Sequence, residues 1–180
     1  ETDRLKGLVH RLLGPNRPSE FTHFNIHEIL ERARKLIELE CVFDLSICRD
    51  YDPSIPDILM DPDLIFQAVL NIVRNAMQSL ERTSHPTIKI VTRTERQFTI
   101  ASVRHRNVLK IDIIDNGPGI PPEIKENLFL PMITGRPDGT GLGLSVAHAI
   151  IHRHKGMLEF HSDQGRTRFT LIIPLEVKPK

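Results

Sequence analysis

Asn71, Asn75 and Gln78 recur at i, i+4 and i+7 inside an apolar helical pattern, so three amides share one flank of a single helix. Amides are poor helix formers and unfavourable beside a core unless satisfied, so this flank is either a ligand-facing edge or a set of ordinary boundary amides. A carboxamide oxygen is a hard, neutral donor of the kind Mg²⁺ accepts. A second segment, Asp115-Asn116-Gly117-Pro118-Gly119-Ile120, follows a strongly β-prone run. Its glycines let backbone approach a ligand closely, and a carboxylate at a strand end can accept from an exocyclic amine, although a plain turn uses the same residues. A third, Gly139-Thr140-Gly141-Leu142-Gly143-Leu144, runs straight into a helix. Exposed backbone N–H groups and a positive dipole end suit phosphate there, while a flexible helix entry would also account for the glycines. Leu144 is too large for a dinucleotide fingerprint, and the sequence contains no Gly-x-x-x-x-Gly-Lys phosphate loop.

These segments need a scaffold, and the pattern supplies one. Leu5, Leu8, Val9, Leu12 and Leu13 repeat at helical spacing until Gly14-Pro15-Asn16-Arg17-Pro18 ends the pattern in a linker. Because Glu1 opens without a cap, we expect a longer helix upstream. Asn25 can cap a helix carrying Ile29, Leu30, Ala33, Leu36 and Ile37, and strand-like alternation begins at Cys41-Val42-Phe43-Asp44-Leu45-Ser46-Ile47. Asp61-Pro62 starts a long helix running to about Leu80, with Ile65, Val69, Ile72, Val73, Ala76 and Leu80 as its core stripe. Residues 87–94 read as a strand, 97–103 as its hairpin partner and 108–114 as a buried strand. Pro121-Pro122 starts a short helix, a further helix runs from Leu142 to a cap at Gly156, and residues 157–162 and 167–174 form a closing hairpin. This order is not βαβ alternation; it predicts an α+β, two-layer sandwich with a mixed sheet covered on one face by helices.

Composition narrows the function classes. The 180 residues are 39% hydrophobic and 26% charged, which excludes disordered and fibrous classes. Twenty-four basic against 23 acidic residues leave a net charge of +1, so no global field draws the chain to nucleic acid or membrane. No Trp and one Tyr further disfavour a base-stacking surface. No apolar run approaches the roughly 20 residues of a membrane span, and Glu1-Thr2-Asp3-Arg4 is unlike a signal peptide. We therefore expect a soluble, cytoplasmic chain with neither nucleic acid nor membrane as partner. Cys41 and Cys48, about 23 Å apart in an extended segment, are expected to be buried free thiols.

In order, Asn71-x-x-x-Asn75-Ala76, Asp115-x-Gly117-x-Gly119, Phe129-x-Pro131 and Gly139-Thr140-Gly141-Leu142-Gly143-Leu144 resemble the N, G1, F and G2 boxes of the sensor histidine kinases. That ATPase superfamily includes gyrase, the large heat-shock chaperone and the MutL mismatch-repair protein, and the match covers residues 26–174. The resemblance implies a Bergerat-type ATP-binding fold with ATP and Mg²⁺ as ligands. It implies that Asp115 accepts from the adenine amino group and that Gly117 and Gly119 let backbone close over the base, with Ile120 beside them. Asn75 would coordinate the Mg²⁺ that bridges the phosphates, Asn71 would support that metal or its waters, and Gln78 would complete the flank. Phe129 would anchor a lid over residues 130–138, and Arg136 within it would contact the γ-phosphate. Thr140, Gly141, Leu142 and Gly143 would meet the phosphates, and Thr167, in Gly165-x-Thr167-x-Phe169, matches the last box. Asn75 and Arg136 are thus the residues assigned to transfer.

Hydrolysing members of the superfamily carry a glutamate, as general base, four residues before the metal asparagine. Asn71 stands there in this sequence and an amide cannot take the proton, which implies a kinase rather than a hydrolase. Asp50-Tyr51-Asp52-Pro53-Ser54-Ile55-Pro56, Asn71-Ile72-Val73-Arg74-Asn75-Ala76, the long stretch 93–109 and Pro131-Met132-Ile133-Thr134-Gly135-Arg136 are similar to the nitrogen-regulation (NtrB-type) branch. The implied partners are the kinase's own dimerisation and phosphoacceptor domain, an NtrC-type response regulator and the PII signal protein. On this reading residues 1–18 are the end of the dimerisation helix and its linker, and 19–180 the catalytic ATP-binding domain. A nucleotide-binding module that gates partner docking or regulator dephosphorylation is the alternative. The phosphoacceptor His-Glu-x-x-x-Pro box is missing: His27-Glu28 has Arg32 where the proline belongs. His148, His152 and His154 are expected on a solvated helix face, and Arg104-His105-Arg106 in a basic turn.

Overall fold

The computed structural model describes residues 20–135 and 139–175. Along the chain they form β1 (Thr22–Phe24), α1 (Ile26–Glu40), β2 (Ser46–Asp50), β3 (Ile58–Met60), α2 (Pro62–Ser79), β4 (Thr87–Ile100), β5 (Val103–Asp115), α3 (Pro122–Lys125), α4 (Gly143–Arg153), β6 (Met157–Asp163) and β7 (Arg166–Pro174). The expected α+β two-layer sandwich is what the chain adopts. Five strands make one mixed sheet in the order β2-β4-β5-β7-β6, in which only β2 and β4 run parallel. A separate ribbon pairs β1 with β3.

Local chemistry sets the helix starts. The Asn25 side chain accepts from His27 N–H at 2.9 Å, and Asp61 accepts from Leu64 N–H at 3.1 Å with Pro62 at the first helical position. The stripe read from α2 is the core itself: Ile65, Val69, Ile72, Val73, Ala76 and Leu80 are each at most 1% exposed. Fully burying side chains of this size contributes about 1.5–3 kcal/mol each for the larger ones, so α2 is the spine of the helical layer. It packs against α1 and α4, while Ile111 and Ile113 of β5 close the core from the sheet side. Lys89 and Arg93 on the opposite sheet face pair with Asp50, as solvent-facing positions of a mixed sheet should.

Several boundaries differ from the sequence expectation. Cys41 caps the end of α1, its N–H donating to Ile37 O at 2.9 Å. Strand β2 starts only at Ser46, where pairing with Thr87 begins, and Val42 is 96% exposed. Cys48 is exposed on β2 and Cys41 only half-buried, so the expectation of two buried thiols fails, although both thiols are free. Strand β4 runs on to Ile100, which pairs with Val103 across Ala101 and Ser102, both left-handed at φ 45° and 69°. Two positive φ values give the two-residue turn whose twist suits a hairpin, but without the glycine or asparagine that usually marks it. Arg104, His105 and Arg106 therefore lie within β5 and not in a turn.

The histidines of α4 also need correction. His154 is 6% exposed, accepting from Asp61 N–H through Nε2 at 3.1 Å and donating from Nδ1 to Ile150 O at 2.8 Å. That pair of bonds requires the neutral ring and pins the end of α4 to the start of α2. His27 is likewise occupied, with Nε2 3.0 Å from Thr92 Oγ1 and its ring stacked on Tyr51 at 4.8 Å. It serves packing, as the lack of an acceptor box implied.

Two outcomes test this packing. A Cβ on Gly156 would sit 2.3 Å from Ile172 O, so Gly156→Ala should destabilise the chain by about 2 kcal/mol in urea titration. Burial lowers the His154 pKa from its ordinary 6.5, and burial likewise lowers those of His27 and His148. Between 6.5 and the lower folded value the unfolded chain holds protons that the folded chain rejects, so stability is complete above 6.5 and falls as pH drops below it. His154→Gln should flatten the slope of unfolding free energy between pH 6.5 and 5 relative to the unsubstituted chain; an unchanged slope would contradict the assignment.

Candidate functional site

Period-two alternation along β5 puts Leu109, Ile111, Ile113 and Asp115 on one face, so the last of them is carried under the helices with the rest. Asp115 is 3% exposed. Its Oδ1 accepts from Gly117 N–H at 2.9 Å, and Ser79 Oγ, at the end of α2, stands 3.4 Å away. A buried carboxylate is tolerable only where hydrogen bonds replace its water, and the turn after β5 supplies one from its own backbone. A Cβ on Gly117 would lie 2.8 Å from both Asp115 Oδ1 and Ser79 Oγ, so a side chain there would displace one of these two groups.

The rest of the turn is tied to β6 and β7. Gly119 has φ +90°, and a Cβ there would meet Asp163 O at 2.7 Å. Ile120 N–H donates to Ser162 Oγ at 2.8 Å, Ser162 Oγ lies 3.3 Å from Thr167 Oγ1, and Lys125 Nζ donates to Ser162 O at 2.9 Å. Thr167, 4% exposed, is the cross-strand partner of Asp115. On the other side, the Asn116 side chain holds the start of β4, accepting from Thr87 N–H at 2.8 Å. Both flanks of the turn are thereby fixed while its glycine backbone stays bare.

The third motif lies alongside. No side chain caps α4, and Leu142 at its N-terminal boundary is 2% exposed, so Leu142 offers a ligand only its backbone. A Cβ on Gly143 would sit 3.8 Å from Asn71 Cβ, which places the amide flank of α2 against the start of α4. Asn75 follows one turn later and is half-buried, with Gln78 exposed beyond it. Thr140 is exposed, and Gly141 takes φ +65° where a Cβ would collide with Met132 backbone at 2.5 Å. Gly141 O accepts from Met132 N–H at 3.0 Å, closing the base of the 130–138 segment. Phe129 anchors its other end, stacked on His148 at 5.0 Å and edge-on to Phe160 at 5.7 Å. His148 is exposed although an aromatic ring stacks on it, and His148 and His152 fit the expected solvated face while His154 does not. Arg136 lies outside the described residues.

The structure accordingly brings the four boxes to one end of the sandwich. Ser79, Ser162 and Lys125 join them without having been singled out in the sequence. Ser79 was findable as the next member of the 71, 75 series, whereas Ser162 and Lys125 depend on strand register that local pattern does not carry. For a cation, no group of three His, Cys, Asp or Glu occurs among the described residues, so any divalent ion would rely on amide oxygens and on the ligand's own phosphates. Two shallow surface hollows, one lined by Ser54, Arg96 and Leu175 and one by Ile100, His148 and Met157, include none of the motif residues.

Comparison with known proteins agrees with this geometry. Residues 60–177 match the family described as histidine kinase-, DNA gyrase B- and HSP90-like ATPase. The sensory histidine kinase/phosphatase NtrB of Vibrio alginolyticus is 50% identical over 175 residues, 97% of this chain and 50% of that protein. The chain thus spans about half the length of the curated relatives it matches. Among solved structures, the nucleotide-free catalytic domain of the histidine kinase ThkA superposes with a TM-score of 0.71 at 28% identity, covering 87% of this chain and 98% of that one. ThkA in complex with the response regulator TrrA gives 0.72 at 26% identity, covering 97% and 48%. No helix among the described residues is long and apolar enough to cross a membrane. With its four boxes gathered at one end of a two-layer sandwich and two thirds of its length matched, the chain belongs to the histidine kinase-, DNA gyrase B- and HSP90-like ATPase family.

Proposed function

We propose that this chain is the ATP-binding catalytic domain of a cytoplasmic nitrogen-regulation sensor histidine kinase, moving the γ-phosphoryl group of Mg·ATP to a histidine of a dimerisation domain. Residues 19–180 form the catalytic unit, and residues 1–18 are the end of the dimerisation helix and its linker. An NtrC-type response regulator and the PII signal protein are the partners of the whole kinase. The observation that carries the reading is the buried Asp115 carboxylate beside a bare glycine turn, on the same end of the fold as an uncapped helix start that faces Asn71.

In this reading Asp115 accepts from the adenine amine while Gly117 and Gly119 leave room for the base, with Ile120 and Thr167 holding the turn. Thr140, Gly141, Gly143 and the Leu142 backbone face the phosphates at the positive end of α4. Asn75 holds Mg²⁺ with Asn71 in support, and Gln78 borders the site; the metal neutralises phosphate charge when bound. Arg136 meets the γ-phosphate, and Phe129 fixes the hinge of the segment that carries it. Catalysis is then positioning and charge neutralisation: an imidazole nitrogen of the acceptor bonds to the γ-phosphorus, the bond to the β–γ bridging oxygen breaks, and ADP leaves. With an amide at position 71 the site has no carboxylate there to activate water, which favours transfer over hydrolysis.

Two experiments test the proposal. Asp115→Ala should weaken ATP binding roughly tenfold to hundredfold in calorimetric titration, since it deletes a charged hydrogen-bond acceptor; unchanged affinity would sink the site assignment. Incubation with γ-labelled ATP, Mg²⁺ and a separately supplied dimerisation domain of an NtrB relative should label the acceptor histidine, and Asn75→Ala should abolish it. Normal ATP binding without any transfer would favour the gating module instead.

A further inference from the structure

Ser79 occupies a position that no box of the motif set includes, yet it stands at the convergence of the site. Its Oγ is 2.7 Å from Ala76 O and 3.4 Å from Asp115 Oδ1, and a Cβ on Gly117 would lie 2.8 Å from both Ser79 Oγ and Asp115 Oδ1. One hydroxyl proton thus faces both a helix carbonyl and the carboxylate, and the contact to Ala76 O is the stronger branch of this shared donation. Gly117 N–H already donates to the same Oδ1. Ser79 comes from α2 and Gly117 from the turn after β5, so Oδ1 is held between the helical layer and the sheet.

Resting on the reading of this end of the fold as a nucleotide site, we propose that Ser79 is a positioning residue that sets base specificity, fixing the Asp115 carboxylate so that the site selects a purine with an amino group at C6. With Oδ1 held from both layers, the carboxylate keeps one orientation toward a ligand. It accepts from an amino group at C6 and repels the carbonyl oxygen that guanine presents at the same place. With alanine at position 79 the carboxylate keeps the Gly117 N–H but loses the Ser79 hydroxyl, so its orientation, and with it the preference for an amine, relaxes. The helix is unaffected at first order, since Ser79 is its last residue and alanine is the better helix former.

The test uses the full chain with three ligands: ATP, GTP and the triphosphate of purine riboside, which lacks any group at C6. Calorimetric dissociation constants are compared for the unsubstituted chain, Ser79→Ala, Ser79→Thr and Asp115→Ala, with thermal melts to establish folding. We expect Ser79→Ala to weaken ATP about three- to fivefold, less than the roughly tenfold of a full hydrogen bond to a charged group because the proton is shared with Ala76 O, and to narrow the ATP-to-GTP preference. It should leave the purine riboside triphosphate within about twofold, because that ligand never uses the contact. Ser79→Thr, which retains the hydroxyl, should keep the ATP preference. Equal weakening of ATP and purine riboside triphosphate in Ser79→Ala would show a merely structural role and overturn the proposal, as would no change in either, or loss of the preference in Ser79→Thr. If Asp115→Ala loses ATP while Ser79→Ala does not, the nucleotide site stands and the role of Ser79 falls. If the unsubstituted chain binds no nucleotide, the underlying reading falls first.

Discussion

Everything at the site follows from one alternation. Ile111 and Ile113 must face the helices because they fill the core, and a strand of period two then gives Asp115 no choice of face. The chain buries a carboxylate at the end of its central strand and has to satisfy it locally, which the Gly117 N–H does from the next turn. A side chain on Gly117 would fill the space that this solution needs. The apolar packing of β5 and the polar chemistry after it are consequences of the same register.

The two layers meet again along α4. Its start abuts Asn71 of α2, its middle stacks His148 under Phe129, and its end is clamped by His154 to the start of α2. Gly156 then turns the chain into β6 so closely that no side chain fits against Ile172. A helix fixed at both ends can hold its N-terminal amides in a constant position. The clamp at His154 uses a neutral imidazole, which burial keeps neutral in the folded chain to below pH 6.5, so the clamp outlasts the ordinary histidine titration as pH falls.

Much of this was legible in the chain. The core stripe of α2 and its Asp61-Pro62 start obey rules that depend only on neighbours, and both are where expected. So are the closing hairpin and the two-layer class. What was not legible depends on distant partners or on unmarked geometry. Strand β2 begins where β4 is available to pair with it, not where alternation starts, and Cys48 is exposed because it alternates with Ile47, which packs on the core. The Ala101-Ser102 turn uses residues that seldom take positive φ, so the hairpin was placed too early. His154 looks like one more polar residue on a helix until the start of α2 is known to lie beneath it. At the site, Asn71, Asp115 and the glycines of the third motif were legible by residue type and order. Ser162 and Lys125 were not, because only the β6–β7 register brings them to the turn.

The central claim is that one end of the sandwich is a single nucleotide site built from the turn after β5, the α2 flank and the start of α4. Amide hydrogen exchange followed by mass spectrometry, with and without saturating Mg·ATP, measures that directly. The account predicts added protection in residues 115–120 and 139–145 together, with β2, the β4–β5 turn and the outer sheet face unchanged. Protection at only one of those two segments, at neither, or chiefly around the Ala101-Ser102 turn would contradict it.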